Sequence, residues 1–165
     1  MPLALQIATD DDVADLVALR TAVNQDLALR YGTGYWSNAV TEKGVLYAMR
    51  CASLYVARYR RKLVATLALS TVKPWAIDRS YFSPSQRPLY LTAMAVHPCN
   101  QRKGIGRLCL TEAVRIAREW PGDALRLDAY DASAGAGEFY RKCGFREVGR
   151  ASYRATPLIY FEMLL

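Results

Sequence analysis

The spacing of apolar residues changes twice within the first fifty residues. "LQIATDDD" at 5–12 begins as a strand, and the apolar residues after it recur three and four positions apart, as they do on an amphipathic helix: Val13, Leu16, Val17, Val23 and Leu27. "TDDD" places a capping box in front of this pattern. The glycines and aromatic residues of 31–38 then interrupt it, and a second helix is predicted over about 40–50.

The middle of the chain has the short apolar runs of β-strands. "SLYVARYRRKLVATLALS", residues 53–70, predicts two strands joined by the basic turn "RYRRK". The segment 71–87 is rich in proline, serine and charged residues and is predicted to be a long loop, which inside a compact domain often carries function. "LYLTAMAV" at 89–96 predicts the next strand.

Helical spacing returns after Gly104 and lasts until "PG" at 121–122, which predicts one amphipathic helix. The remaining predicted elements are a strand "LRLDAY" (125–130), a short helix "SAGAGEFYRKC" (133–143) that stops at Gly144, and two strands, "FREVGR" (145–150) and "PLIYFEMLL" (157–165). This order predicts a single α/β domain over residues 1–165, with a mixed central sheet flanked by helices.

Composition agrees with one globular domain. With 165 residues and 52% hydrophobic content, the chain can bury roughly two-thirds of its unfolded surface. The opening "MPLALQIATDDD" has no basic n-region and does not resemble a secretory signal, and no apolar run approaches the roughly 20 residues of a membrane span. The expected location is therefore the cytoplasm, with no membrane partner.

The cysteines and the single histidine exclude two classes of chemistry. Cys51, Cys99, Cys109 and Cys143 show no C-x-x-C spacing, and His97 is the only histidine, so no metal site is expected. A Ser-His-Asp hydrolase is excluded as well, since His97 precedes a proline at a loop entry. We interpret the four cysteines as reduced, with three of them packed as small apolar groups.

The net charge of +7 favours anionic partners such as nucleic acid, acidic membranes or polyphosphate cofactors. "RYRRK" at 58–62 is typical of a solvated turn. A second basic cluster coincides with glycines at a predicted strand-to-helix junction and contains Arg102, Lys103, Arg107, Arg115 and Arg118. Nucleic-acid binding is therefore one alternative, although no nucleic-acid motif is found.

That junction, "HPCNQRKGIGRL" at 97–108, has the features of a phosphate site. A helix N-terminus presents N–H groups and a partial positive charge, and glycines let the backbone approach an anion closely. Two familiar phosphate loops do not fit: Cys109 stands where a dinucleotide fingerprint has its third glycine, and no Gly-Lys-Ser/Thr occurs.

Two segments resemble motifs of the GNAT N-acetyltransferase superfamily. "AVHPCNQRKGIGRL" is similar to its acetyl-coenzyme A signature, in which a strand ending in V-x-P is followed by Q/R-x-x-G-x-G/A at the start of a helix. "SAGAGEFYRKCGF" resembles the family's N-x-x-A-x-x-L/F-Y-x-K-x-G-F segment. Ser133 stands where the family often has asparagine, which puts a side-chain contact from that position in doubt.

The resemblance implies a GNAT-like fold with a splayed strand pair, and acetyl-coenzyme A as cosubstrate. It places the pyrophosphate on a loop made of Gln101, Arg102, Lys103, Gly104, Gly106 and Arg107. It also implies that the Met94 N–H polarises the thioester carbonyl and that Val96 pairs with the pantetheine amides. Ser133 and Lys142 complete the implied cofactor-binding residues.

The same resemblance implies the catalytic groups. Tyr140 matches the family's proton donor, whereas the helical pattern alone favours a buried structural tyrosine. Asp128 lies twelve residues before it, a spacing similar to that of the glutamate base in the ribosomal-protein alanine acetyltransferases. Asp128 could equally be a strand-end carboxylate in an ion pair, with water as the base. Tyr90 stands where histone-type members have a glutamate base, so a carboxylate base at that position is excluded.

The implied function is acetyl transfer to a primary amine of a small molecule or a peptide. A catalytically silent coenzyme A binding module and a peptide or protein N-terminal acetyltransferase are alternatives, and both a monomer and a homodimer remain open. Six aromatic residues could wall an acceptor pocket or pack in the core: Tyr31, Tyr35, Trp36, Tyr130, Tyr153 and Tyr160.

Overall fold

The computed structural model describes residues 3–165, so Met1 and Pro2 of the predicted domain lie outside it. The strands are β1 (Leu5–Ile7), β2 (Ser53–Tyr59), β3 (Lys62–Ser70), β4 (Pro88–Val96), β5 (Ala124–Tyr130), β6 (Arg146–Tyr153) and β7 (Thr156–Leu164). The α-helices are α1 (Val13–Tyr31), α2 (Glu42–Cys51), α3 (Ile105–Glu119) and α4 (Gly137–Lys142). No helix among the described residues has both the length and the apolar character needed to span a bilayer.

The strands form one sheet in the order β1-β2-β3-β4-β5-β7-β6. β4 and β5 are parallel, whereas β5 with β7, β6 with β7 and β1 with β2 are antiparallel. The predicted α/β class with a mixed sheet and flanking helices is therefore confirmed. Ala93, in the middle of β4, has a φ of 55°. A left-handed residue distorts the regular pleat of a strand at this position, and the splay of β4 stays a prediction.

The chain forms two compact units. The first unit consists of the chain up to Ala68 together with Ala93–Ala113, and the second consists of Leu69–Thr92 and Val114–Leu165. The core of the first unit is the predicted apolar face of α1, packed with α2, β2 and β3: Val13, Leu16, Val45, Leu54, Val56 and Ala68. The first part of the predicted apolar face is therefore confirmed, whereas Val23 and Leu27 are only half-buried.

Helix α1 begins as the capping pattern predicts, with one addition. The Thr9 N–H donates to the Asp12 carboxylate at 2.8 Å, but Asp10–Asp12 form a single 3₁₀ turn before the α-helix starts. Asp12 is buried and forms an ion pair with Arg58 of β2, which compensates its burial. The predicted basic turn between β2 and β3 is confirmed, with Arg60 and Arg61 at φ values of 49° and 66°.

Strands β5 and β7 organise the second unit. Their ladder runs from Ala124 opposite Leu164 to Tyr130 opposite Leu158. Because directly opposed residues point to the same face, Asp128 and Tyr160 share one face of these strands, while Leu127 and Phe161 share the other.

Two predicted boundaries are wrong. Helix α4 begins at Gly137, four residues after the predicted start at 133, because the chain first makes a turn in which the Gly135 N–H donates to the Ala132 carbonyl. At Gly135 a Cβ would lie 1.7 Å from the Tyr130 carbonyl oxygen, so only glycine fits this turn. Strand β6 continues to Tyr153 instead of ending at 150, since it pairs with β7 as far as the hairpin turn. The predicted C-terminal glycine of α4 is confirmed: Gly144 has a φ of 94°.

The prediction that three of the four cysteines pack as small apolar groups is wrong. All four cysteines are free, but Cys51 and Cys99 are exposed and Cys143 is only partly buried. Cys109 alone packs as a fully buried group, and burial, with a smaller contribution from Glu112, raises the pKa of its thiol to about 11.

A buried ion pair lies at the centre of the second unit. Arg126 of β5 and Glu162 of β7 have side chains only 4% and 1% exposed, and their Nε–Oε2 distance is 3.3 Å. The guanidinium also donates to the Ser83 carbonyl at 2.7 Å and to the Tyr90 hydroxyl at 3.2 Å, and it lies 4.9 Å from the Phe82 ring centroid. The pair therefore has the additional hydrogen bonds that two buried charges need.

Replacement of Arg126 by methionine should lower the free energy of unfolding by about 3 kcal/mol or more, because the buried Glu162 carboxylate then keeps only the exposed Arg146, at 3.5 Å, as a cationic partner. Arg30→Met is the matched control, since Arg30 forms an exposed pair with Asp26 at 3.0 Å along α1. That control should cost about 0.5 kcal/mol or less. Urea unfolding measures both, and equal losses would contradict the importance of the buried pair.

Candidate active site

The connection between β4 and α3 is a tight loop with an exposed backbone. His97–Asn100 form a closed turn, with the Asn100 N–H donating to the His97 carbonyl at 2.8 Å. Arg102 and Gly104 then adopt left-handed conformations, with φ values of 59° and 81°. The first intrahelical bond of α3 runs from the Leu108 N–H to the Gly104 carbonyl at 3.1 Å, so the earlier N–H groups do not belong to the helical pattern.

This loop fits a phosphate group on three observations. The start of α3 supplies backbone N–H groups and a partial positive charge. A Cβ on Gly104 would meet no atom within 4 Å, which leaves room for close approach of an anion to the backbone. The side chains of Arg102, Lys103 and Arg107 are exposed beside it and add positive charge.

Two of the predicted phosphate-binding side chains instead hold the loop itself. Gln101 donates from Nε2 to the Val96 carbonyl at 3.0 Å, and Lys103 donates from Nζ to the Cys99 carbonyl at 2.7 Å. These bonds join the loop to the end of β4 and close it on itself. Gly106 lies in the first turn of α3, and Met94 and Val96 are half-buried on β4.

Tyr140 lies on α4 and is 7% exposed. Its ring makes an edge contact with Phe145 at a centroid distance of 5.8 Å and a tilted contact with Phe161 at 5.9 Å. Because Phe161 and Asp128 point to opposite faces of the β5–β7 pair, Tyr140 packs on the face opposite Asp128. The packing expected of a structural tyrosine is therefore present, and it holds the phenol in one orientation.

Asp128 is half-buried near the end of β5. Burial raises the pKa of its carboxyl above the ordinary value, with a smaller opposing effect from a backbone hydrogen bond. No cation contributes to this shift in the described part of the chain, so the ion-pair alternative has no support there. A carboxyl with a raised pKa is a better proton acceptor for an ammonium group than an ordinary aspartate.

The other predicted residues fall into three environments. Ser133 is exposed in the turn before α4, and Lys142 is exposed at the end of α4, 3.0 Å from Glu138. Tyr90 is buried and accepts a hydrogen bond from Arg126, so its position serves the core. Of the six candidate aromatic residues, Trp36 and Tyr160 are buried, Tyr130 and Tyr153 are half-buried, and Tyr31 and Tyr35 are exposed.

Sequence reasoning did not find the contacts of the 71–87 loop with β5 and β7. Ala76 and Asp78 are hydrogen-bonded to Tyr160, and Ser83 is hydrogen-bonded to both Arg126 and Glu162. These partners are between 43 and 84 residues apart in the chain, and no local periodicity encodes such a contact.

Comparison with known proteins gives a family match. The model of the acetyltransferase (GNAT) family matches residues 20–145, a range that includes parts of both units. Among curated proteins, no sequence matches this chain.

Solved structures with similar folds cover nearly the whole chain. A ribosomal-protein-alanine N-acetyltransferase from Brucella melitensis has a TM-score of 0.74 and 21% identity, covering 99% of this chain and 100% of its own. The ribosomal-protein-S18-alanine N-acetyltransferase from Escherichia coli has a TM-score of 0.72 and 15% identity, covering 98% of this chain and 93% of its own. A GNAT-family acetyltransferase from Streptococcus agalactiae has a TM-score of 0.81 and 11% identity, covering 99% of this chain and 95% of its own.

Replacement of Gly104 by valine should weaken the binding of coenzyme A at least tenfold, about 1.4 kcal/mol, because the side chain would fill the space beside the loop backbone. Calorimetric titration measures the affinity.

Gly32→Val is the matched control for backbone strain. Gly32 has a φ of 74°, and a Cβ there also meets nothing within 4 Å, but it follows α1 and lies outside the loop. The control should lose stability and keep its affinity. Equal affinities for wild type and Gly104→Val would show that the loop backbone does not hold the phosphates.

Proposed function

Because the chain belongs to the GNAT acetyltransferase family, we propose that it transfers an acetyl group from acetyl-coenzyme A to a primary amine of a small molecule or a peptide. The observation that carries the proposal is the exposed loop at the start of α3, with Gly104 in a left-handed conformation. We propose further that residues 1–165 act as one catalytic domain in the cytoplasm, where its free cysteines stay reduced.

In this proposal the loop binds the pyrophosphate mainly through its backbone. The N–H groups from Arg102 to Arg107 provide hydrogen bonds, and the exposed cationic side chains of the loop provide long-range attraction. Gln101 and Lys103 contribute by fixing the shape of the loop, since their side chains bond to Val96 and Cys99. Met94 and Val96 would offer the edge of β4 to the pantetheine arm.

Acetyl-coenzyme A supplies a thioester, whose carbonyl carbon forms the new C–N bond as the C–S bond breaks. Tyr140 then gives its phenolic proton to the departing sulfur and recovers one from solvent, while the nitrogen that forms the amide releases a proton to solvent. A thiol has a pKa near ~8.5 and a phenol one near ~10, so the proton is shared most strongly as negative charge develops on sulfur. The packing of Tyr140 against Phe145 and Phe161 keeps the hydroxyl in place for this step.

The amine must reach the thioester in its neutral form. Asp128 would accept the ammonium proton through a water molecule, because it lies on the face of the β5–β7 pair opposite Tyr140. Its carboxyl is half-buried and its pKa is raised, which favours this role. A peptide N-terminus is the acceptor favoured by the spacing of twelve residues between Asp128 and Tyr140. The alanine acetyltransferases of similar fold act on ribosomal protein, which motivates a peptide in the first assay.

Replacement of Tyr140 by phenylalanine should lower turnover on the order of 10² while the affinity for acetyl-coenzyme A changes little, because only the hydroxyl is lost. The assay follows thiol release from acetyl-coenzyme A with L-alaninamide, 2-phenylethylamine and trialanine as acceptors. Affinity is measured by calorimetry on the same preparation.

The control is Tyr90→Phe, which removes the hydroxyl of another buried tyrosine of the second unit. Its turnover should stay within a few-fold of wild type. If Tyr140→Phe retains wild-type turnover with the chemical step rate-limiting, another group donates the proton. If the wild-type protein binds acetyl-coenzyme A and acetylates no amine or peptide, it is a silent binding module and the proposed function is wrong.

A further inference from the structure

The 71–87 loop is hydrogen-bonded to the sheet at a single tyrosine hydroxyl near its middle. The Tyr160 hydroxyl donates to the Ala76 carbonyl at 2.5 Å and accepts from the Asp78 N–H at 3.3 Å. The Tyr160 ring is 2% exposed and contacts the rings of Tyr81 and Phe82 at centroid distances of 5.2 and 5.4 Å. The Tyr160 hydroxyl is thus hydrogen-bonded to the backbone of the residues before and after Ile77, and Ile77 is itself buried.

The second half of the loop is fixed by two further groups. Ser83 donates from its N–H to Glu162 at 3.3 Å and accepts from Arg126 at its carbonyl. Asp123 accepts hydrogen bonds from the backbone N–H groups of Gln86 and Arg87 at 2.9 and 3.1 Å. A loop with so many anchors has little freedom to move, although it lacks extended secondary structure.

Tyr160 and the Arg126–Glu162 pair lie on the Asp128 face of the second unit. Arg126 and Asp128 are two residues apart on β5, and Tyr160 and Glu162 are their opposed partners on β7. In an antiparallel pair, directly opposed side chains have Cβ atoms about 5 Å apart. Tyr160 is therefore the immediate neighbour of Asp128, and its hydroxyl places the backbone of 76–78 on the same face.

We propose that Tyr160 is a positioning residue, which holds Ala76–Asp78 beside Asp128 so that this part of the loop forms a wall of the acceptor-amine site. The inference rests on the proposed function, because it takes Asp128 as the base. The loop tip carries Trp75, which is 88% exposed, and its position relative to Asp128 depends on the adjacent Ala76–Tyr160 bond.

Tyr160 does not act as a proton donor in this proposal. Its hydroxyl proton is directed at the Ala76 carbonyl, and its oxygen already accepts from Asp78. Burial raises the pKa of the phenol, the hydrogen bond from the Asp78 N–H opposes this shift, and the Asp128 and Asp78 carboxylates and Tyr81 add smaller raising contributions. The hydroxyl thus stays protonated and keeps both hydrogen bonds at neutral pH.

Tyr160→Phe and Tyr90→Phe provide a matched comparison. Both tyrosines are 2% exposed, both belong to the same buried cluster, and each hydroxyl bonds within the second unit. Only Tyr160 bonds to Ala76–Asp78, whereas Tyr90 accepts from Arg126. A merely structural role predicts similar effects of the two substitutions, and a positioning role predicts different ones.

Amide hydrogen exchange tests the tether without any substrate. The Asp78 N–H should exchange at least tenfold faster in Tyr160→Phe, because it loses its acceptor, and should be unchanged in Tyr90→Phe. Slow exchange of this amide in the wild-type protein is expected as well, so the tether can be judged even if Tyr160→Phe does not fold. Fast wild-type exchange at Asp78 would overturn the proposal.

Steady-state kinetics test the acceptor wall, with the best acetylated of L-alaninamide, 2-phenylethylamine and trialanine as the probe. Tyr160→Phe should raise the KM of the amine at least fivefold and leave the KM of acetyl-coenzyme A within about twofold, whereas Tyr90→Phe should leave both within about twofold. Equal amine KM values in the two variants would overturn the proposal. A wild-type protein that acetylates nothing contradicts the proposed function instead, and exchange at Asp78 still decides the tether.

Discussion

The second unit depends on the buried ion pair between Arg126 and Glu162. Two charges that are almost fully removed from water are tolerable only when every donor and acceptor finds a partner. Here the Ser83 backbone accepts from Arg126 and donates to Glu162, and Ser83 belongs to the connection between β3 and β4. Satisfying the charges therefore fixes the 71–87 loop, which in turn determines what surrounds Asp128 on that face of the strands.

The first unit works under a different constraint. The chain passes from β4 into α3 through two left-handed residues, Arg102 and Gly104, and the helix starts with N–H groups outside its own hydrogen-bond pattern. A loop shaped by its backbone favours a ligand with many acceptor oxygens and little need for particular side chains, which a pyrophosphate provides. Gln101 and Lys103 can therefore donate their side-chain hydrogen bonds to carbonyls of the same connection, those of Val96 and Cys99, without loss of the backbone contacts to the ligand.

Local patterns predicted most of the elements, because they arise from the period of burial along the chain. The apolar face of α1, the hairpin at Arg60 and Arg61 and the glycine that ends α4 all follow from residues close in sequence. The sequence pattern starts α4 four residues too early, because a Cβ at position 135 would clash with the Tyr130 carbonyl, which only the folded turn brings near.

The candidate site was predictable only where a motif carried it. The phosphate loop and Tyr140 are recognised from short segments, whereas the Tyr160 tether joins residues that no segment contains. Thermal unfolding with increasing acetyl-coenzyme A tests the central claim, that this fold binds the cosubstrate of acetyl transfer, most directly. A free concentration about 100 times the Kd should stabilise the folded protein by roughly 2.7 kcal/mol, with a corresponding rise in Tm. A Tm that does not change at saturating acetyl-coenzyme A would contradict the account.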